Sequence, residues 1–255
     1  MVLMSTIKIF LNKIHINIYS IILIFLSLLG GLFKEISIVS IIIIIHEFGH
    51  FIAFKHYNWN VTKIELYPFG GITHLDEKID KPLDEEFIIT IMGPLFQEIL
   101  FITIYIFYEC SLIDENIFTI FNNYNITILI FNLLPILPLD GSKLINIFLN
   151  KIFNFRLSYN LNVYISILFL FIFILIFKND TSYYMIIVFL IYQIIHYLKN
   201  KYIVFNRFIL EKKLRKSNYI KYKKIDTYKK MYRNKRNLIK ENGSYITEYK
   251  FVNKK

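Results

Sequence analysis

The sequence predicts an all-α polytopic membrane protein with about six transmembrane helices and a small basic cytoplasmic tail. Hydrophobic residues make up 55% of the 255 residues, among them 25 Phe and 19 Tyr. The hydrophobic residues of the chain form long uncharged runs. In a soluble domain, polar residues interrupt such runs more often. The formal net charge is +11, but residues 199–255 alone hold 19 Lys and Arg against 4 Asp and Glu. The chain therefore divides into a membrane body and a basic tail.

The predicted spans follow from apolar length, at about 20 residues for each crossing. The second span contains the sequence IIIIIHEFGHF, and the third contains Gly93-Pro94, which predicts a kink. Three asparagines interrupt the fourth span, which ends in the segment NLLPILPLDG. The six predicted spans are residues 18–33, 36–57, 87–108, 117–139, 157–177 and 183–198.

A short segment between the second and third spans has a different pattern. In KIELYPFGGITHL, residues 63–75, apolar residues alternate around a proline and two glycines. This pattern predicts a short re-entrant β-hairpin-like segment rather than a helix. An edge strand at this place would accept an extended peptide by strand addition. An ordinary surface hairpin fits the same pattern equally well, and the sequence leaves the two open.

The charge pattern orients the predicted spans. No Lys or Arg occurs from position 82 to 142, whereas Lys143, Lys151 and Arg156 follow the fourth span. Cytoplasmic connections gather Lys and Arg, so we expect both termini and the 143–156 connection inside, and residues 109–115 outside. We accordingly expect a multi-pass integral membrane protein, with a transmembrane domain at 1–200 and a basic cytoplasmic tail or residual regulatory domain at 201–255.

The basic tail indicates which partners the chain binds, and the single cysteine limits which residues can bind a metal. No nucleic-acid-binding motif accompanies the basic residues, so we expect contact with anionic membrane lipids and none with nucleic acid. Cys110 is the one cysteine of the chain, which excludes an internal disulfide and a cysteine-rich metal site. A metal would have to bind histidine and carboxylate.

The sequence HEFGH at residues 46–50 lies inside the second predicted span. On a helix, His46 and His50 are four residues apart and share one face, so both imidazoles can bind one zinc ion. Glu47 lies beside them and can take a proton from water. A chance match on a helix is the alternative. Three ionisable residues in so apolar a segment are costly unless they are used, which favours a functional site.

Asp140 is the best candidate for a third zinc ligand. It closes the segment NLLPILPLDG, in which two prolines break the helix and Gly141 allows a tight turn. An aspartate that caps the next helix at the membrane edge is the alternative. In the expected topology, the second and fourth spans both run inward. The histidine pair and Asp140 both fall late in these spans and therefore reach similar depth.

Four segments together resemble the site-2 protease family of intramembrane zinc metalloproteases, and most of all its sporulation branch. They are HEFGH at 46–50, YPFGG at 67–71, Gly93-Pro94 and NLLPILPLDG at 132–141. The resemblance covers about residues 15–200. The chain departs from the family pattern at Gln97, where an asparagine is frequent, and at Ser142-Lys143, where many members have Gly-Arg.

The resemblance implies a six-helix fold, one zinc ion per chain on His46, His50 and Asp140, and Glu47 as the catalytic acid and base. The expected substrate is a membrane-associated protein, such as a sporulation sigma-factor precursor, which is cut near its cytoplasmic membrane boundary. Inhibitory membrane partners and a location in the cell membrane or the membrane around the forespore are implied as well. The expected substrate-binding residues are Asn132, Pro135, Phe69, Gly70 and Gly71.

Other readings remain open at this point. A general regulatory site-2 protease would carry the same site, and a membrane zinc transporter would also place histidine and carboxylate at membrane depth. A transporter would not need Glu47 between the ligands, and a catalytically silent adaptor would not need the full set of catalytic residue types. Gln97 and Glu98 fit either a water path or structural hydrogen bonds between helices.

Overall fold

The computed structural model describes residues 2–67, 70–177, 183–214, 219–241 and 244–249. Its helices are α1 (Val2–Lys13), α2 (Ile18–Leu29), α3 (Phe33–His56), α4 (Leu83–Glu109), α5 (Glu115–Leu133), α6 (Asp140–Ile152), α7 (Phe155–Ile176) and α8 (Tyr184–Leu214). Its strands are β1 (Ile14–Ile16), β2 (Val61–Tyr67), β3 (Gly70–Leu75), β4 (Tyr222–Ile225), β5 (Arg236–Glu241) and β6 (Ser244–Thr247).

Within these described ranges, three helices are long and apolar enough to cross a membrane, namely α3, α4 and α7. Helix α2 has 12 residues, fewer than the about 20 that a crossing needs. Helix α5 contains five asparagines, and α8 becomes lysine-rich in its second half. The protein is mostly helical as predicted, but the predicted count of six spans is not confirmed.

The prediction of a helical body with one β-hairpin is confirmed in part, because the described residues form two three-stranded sheets. In the first sheet, β1 pairs in parallel with β2, and β2 pairs antiparallel with β3. The pairs Val61 with Leu75 and Tyr67 with Gly70 mark the two ends of the β2–β3 pairing, so the predicted hairpin near 63–75 exists. Strand β3 is an edge of this sheet. The three-residue strand β1 was not predicted, since it is too short to show a pattern.

The chain forms two compact units, and the first comprises residues 1–77 and 88–133. Its apolar core joins α1, α3 and the first sheet around Phe10, Phe51 and Ile64. Gly49 in α3 allows α3 and α4 to approach closely, because a Cβ atom there would overlap the carbonyl oxygen of Met92. Small residues at such crossings let helix backbones pack against each other in membranes.

The second unit comprises residues 78–87 and 134–255 and contains the second sheet, in the order β4-β5-β6. Strands β4 and β5 are parallel, and β6 returns antiparallel to β5. Ile225 and Ile239 from this sheet are buried with Phe155, Phe208 and Met231 in one apolar cluster. Much of the basic C-terminal region therefore has a core of its own. The proposed division of the chain at residue 200 remains a prediction, and α8 runs continuously through that position.

Buried charges hold the C-terminal segment inside the second unit. The ammonium of Lys212 lies 2.5 Å from Asp80 and 3.8 Å from Glu248. The guanidinium of Arg233 lies 2.8 Å from the carboxylate of Glu86. Lys212, Glu248 and Arg233 are all at most 5% exposed. Asp80 is the nearer partner of Lys212, so replacement of Glu248 leaves this ammonium paired. Loss of Asp80 or Glu86 would instead leave a buried cation with its desolvation cost.

Replacement of Glu248 by glutamine should stabilise the protein near neutral pH. Burial raises the pKa of the Glu248 carboxyl above its ordinary value, against the opposing charge of Lys212. The folded state then holds a proton that the unfolded state has lost, so stability falls as pH rises through the raised pKa. We expect Glu248→Gln to raise the unfolding temperature in detergent at about pH 7 more than at about pH 5, which flattens the pH dependence.

The control for this variant is Asp226→Asn, at an exposed carboxylate of the same region, which should leave both temperatures unchanged. A lower unfolding temperature for Glu248→Gln at neutral pH would mean that the ion pair with Lys212 outweighs the cost of burial.

Candidate active site

Helix α3 brings His46, Glu47 and His50 together as the sequence predicts. The two Nε2 atoms lie 3.2 Å apart, and the ligand atoms of all three side chains lie within 4.8 Å of one another. The three residues are at most 4% exposed. Among the described residues, this is the one group of three or more His, Cys, Asp or Glu with a spacing that could hold a metal ion.

Hydrogen bonds from neighbouring groups orient both imidazole rings. The Nδ1 atom of His50 lies 2.8 Å from the carbonyl oxygen of Ile89, which can only accept, so this Nδ1 carries the proton. The side-chain amide of Gln97 donates to Asn125, which leaves its Oε1 to accept from Nδ1 of His46 at 3.0 Å. With both Nδ1 atoms protonated, both Nε2 atoms have a free lone pair. Such partners fix the orientation of metal-binding histidines.

The geometry fits a tetrahedral zinc ion. Two nitrogen ligands at about 2.0–2.1 Å from zinc lie about 3.3 Å from each other, close to the 3.2 Å observed here. Gly93 of α4 supplies the space, because a Cβ atom there would overlap Nε2 of His50 and lie 2.8 Å from Nε2 of His46. The residues present therefore fit the metal.

Glu47 connects the histidine pair to the first sheet. Its Oε1 accepts a hydrogen bond of 3.0 Å from the backbone N–H of Gly71 at the start of β3. A side chain at position 71 would overlap the Glu47 carboxylate, so glycine is required for this approach. A Cβ atom at Gly70 would lie 3.7 Å from Oδ1 of Asn132, which is buried at the end of α5. Of the predicted substrate-binding residues, Gly71 thus contacts Glu47, and Asn132 lies close to the adjacent Gly70.

The remaining predicted site residues are Asp140, Pro135 and Phe69. Asp140 and Pro135 belong to the second unit, and Phe69 lies outside the described residues. Asp140 is the first residue of α6 and is buried, and its carboxylate accepts a hydrogen bond of 2.8 Å from Lys143. The position before it, Leu139, is the N-cap residue of α6, so Asp140 does not occupy the capping position. Its role as third zinc ligand remains a prediction.

The supports of the two histidines were missed from the sequence. Gln97 is fully buried between His46 and Asn125, and it makes structural hydrogen bonds, as one of the two predicted alternatives had it. The sequence shows that Gln97 is a polar amide within a predicted span, which indicates a role. It does not indicate which groups this amide contacts. The carbonyl of Ile89 carries no sequence signal at all.

The remaining histidines of the chain do not belong to the His-Glu-x-x-His group. His15, His56 and His196 are exposed. Nε2 of His74 lies 3.3 Å from Glu65 on the neighbouring strand, which agrees with the prediction of a polar residue of the hairpin.

A mostly helical chain with apolar spanning helices and a buried His-Glu-x-x-His group defines the class of membrane metallopeptidases. Residues 34–114 match the model of peptidase family M50. The chain therefore contains a peptidase M50 (site-2 protease) domain. The matched range includes the metal-binding group of α3, the first hairpin and the whole of α4.

Two similar proteins agree with this assignment. Stage IV sporulation protein FB of Bacillus subtilis is 37% identical over 151 residues, which are 59% of this chain and 52% of that protein. A zinc metalloprotease of Methanocaldococcus jannaschii is 32% identical over 112 residues, or 43% of this chain and 32% of its own length. The match thus spans about half of the first relative and about a third of the second.

Among solved structures, the site-2 protease from Methanocaldococcus jannaschii aligns with a TM-score of 0.58 and 24% identity. The alignment covers 72% of this chain and 89% of that structure, and it supports the site-2 protease fold.

Replacement of Gly93 by alanine should remove the metal. The added methyl group would occupy the space beside both Nε2 atoms, so the imidazoles could no longer converge on one ion. We expect the purified variant to hold well under half an equivalent of zinc by elemental analysis, with unchanged helical content by circular dichroism. The control is Gly30→Ala at the end of α2, where a Cβ atom would lie 3.5 Å from its nearest neighbours. Full zinc in Gly93→Ala would show that the metal does not bind between these histidines.

Proposed function

We propose that the chain is an intramembrane zinc endopeptidase that hydrolyses a peptide bond of a membrane-associated protein near its cytoplasmic membrane boundary. The observation that carries this proposal is the buried pair of Nε2 atoms of His46 and His50, 3.2 Å apart, with the Glu47 carboxylate held beside an edge strand. The peptidase M50 match and the relative named as a zinc metalloprotease support it.

In the proposed site, His46, His50 and Asp140 hold one zinc ion. Zinc, when bound, supplies a Lewis acid that polarises the scissile carbonyl and makes water more acidic. Glu47 then acts as the acid and base. Its carboxylate takes a proton from the attacking water and returns it to the nitrogen of the leaving amine. The small buried space around the histidines keeps bulk water away, which strengthens each of these electrostatic interactions.

The substrate would bind along the edge strand β3. A strand edge offers backbone groups for an extended peptide, and Gly71 places this edge within hydrogen-bond distance of the catalytic carboxylate. Buried Asn132 beside Gly70 would hold the peptide carbonyl or the oxyanion that develops there. Phe69 and Pro135 complete the proposed substrate-binding set. Intramembrane helices must unwind before cleavage, and an edge strand stabilises the extended form.

We further propose that the substrate is a sporulation transcription-factor precursor, of the sigma-factor type, and that membrane partners restrain the enzyme. The support is the 37% identity to a stage IV sporulation protein. A general regulatory site-2 protease remains the alternative within the same chemistry. Glu47, which a zinc transporter would not need, is bonded to the edge strand, and this favours hydrolysis over transport.

Glu47→Gln should keep zinc and lose proteolysis. The substitution is nearly isosteric and preserves both histidine ligands, but the amide cannot take a proton from water. We expect cleavage of a co-expressed membrane-tethered precursor to fall about 10²–10⁴-fold, while the zinc content stays near one equivalent. The control is Glu35→Gln in the first turn of the same helix. Cleavage by Glu47→Gln at a rate near that of the unaltered protein would remove Glu47 from the mechanism.

Asp140→Ala tests the third ligand separately. If Asp140 binds zinc, this variant loses metal to the same degree as His46→Ala. Full zinc in Asp140→Ala would assign the third position to another group.

The proposed topology places both termini and the 143–156 connection in the cytoplasm and residues 109–115 outside. Cys110 is an exposed, single cysteine in the outer connection, so the unaltered protein should react with a membrane-impermeant maleimide in intact cells. In a Cys110→Ser background, a cysteine at position 115 should react and one at position 151 should not. Labelling at 151 but not at 110 or 115 would invert the topology and move the cleavage site to the other face.

A further inference from the structure

A cavity of about 230 Å³ lies within the second unit, away from the residues assigned to catalysis. Its walls come from the first turns of α7, the middle of α8 and the short 3₁₀ helix Tyr228–Lys230. Three of the residues that line it are cationic, Arg156, Lys201 and Lys229, and none of the described lining residues is acidic. Such a cavity attracts an anion.

The rest of the lining is aromatic, with Phe155, Tyr159, Tyr202 and Phe205. Phe155 and Phe205 are stacked, with their ring planes 9° apart. The Arg156 guanidinium lies 5.5 Å above the Phe205 ring, and the Tyr159 hydroxyl donates to the carbonyl of Tyr197 at 2.6 Å. These contacts hold the walls in place without a ligand. A preformed cavity with an apolar wall and a cationic rim suits an amphiphile that carries a negative head group.

The cavity also adjoins the start of a candidate membrane span. Helix α7 is one of the candidate membrane spans and begins at Phe155, so Phe155 and Arg156 stand at the end of the apolar segment. Arginine and aromatic side chains at the end of a span meet the lipid head groups. Basic pockets between helices at this level bind acidic phospholipids.

We propose that this cavity binds the phosphate head group of an anionic phospholipid. Arg156, Lys201 and Lys229 neutralise the phosphate, and the aromatic walls contact the glycerol and the first methylene groups of the acyl chains. The site is independent of the proposed peptidase activity. It gives the basic C-terminal region one specific lipid contact in addition to its general attraction to the membrane surface.

The test uses the full-length protein in nanodiscs of phosphatidylcholine with increasing fractions of phosphatidylglycerol, and measures the unfolding temperature. A ligand that binds the folded state raises this temperature in a saturable way. We expect saturation for the unaltered protein and at least a 10-fold higher half-saturating fraction for the double variant Arg156→Gln, Lys201→Gln. The matched control Lys221→Gln, Lys240→Gln removes the same charge at two exposed positions outside the cavity and should saturate as the unaltered protein does.

Three outcomes would overturn the proposal. An equal loss of response in the control would mean that general surface charge causes the effect. Saturation by inorganic phosphate or glycerol phosphate in pure phosphatidylcholine would identify a soluble phosphate ligand instead of a lipid. An unchanged response in the double variant would exclude the cavity. If the double variant unfolds early in pure phosphatidylcholine, Lys201→Gln, Lys229→Gln replaces it, because Lys229 is exposed and its loss leaves the aromatic walls intact.

Discussion

The close approach of α3 and α4 is the constraint on which the candidate active site depends. Gly49 lets the two backbones meet, and Gly93 leaves room for both imidazole rings at the crossing. A methyl group at either glycine would separate the helices or displace the rings. The same approach brings the carbonyl of Ile89 and the amide of Gln97 within hydrogen-bond distance of the two Nδ1 atoms. The contact between α3 and α4 therefore determines both the packing of the two helices and the positions of the two imidazole rings.

Because the site is buried, the orientation of its side chains depends on these hydrogen bonds. In a nearly water-free setting, a polar group without a partner costs several times what the same group costs at the surface. The buried side chains of the His-Glu-x-x-His group accordingly have protein partners. His46 has Gln97, His50 has the carbonyl of Ile89, and Glu47 has the N–H of Gly71. These partners leave each imidazole a single orientation and tautomer. The metal-binding atoms are thus directed before any ion arrives, which lowers the ordering cost of binding.

In the second unit, buried charged side chains likewise have partners. Lys212 and Arg233 are buried with carboxylates from residues 78–87 and from the C-terminal segment, so the basic region is anchored as a folded unit. Enough cationic side chains remain at the surface to meet an acidic membrane. Three cationic side chains converge on the aromatic cavity beside the start of α7, where the proposed lipid head group would bind.

The sequence by itself determined the chemistry of α3, the apolar character of three spans and the hairpin at 63–75. Each is a property of neighbouring residues, because a four-residue spacing or an apolar run has its meaning within one element. The tertiary structure alone decided which atoms orient His46 and His50, that Gly71 meets Glu47, and that β4 pairs in parallel with β5. These contacts depend on how each helix is rotated and on pairings between distant segments. Local patterns do not encode either of them.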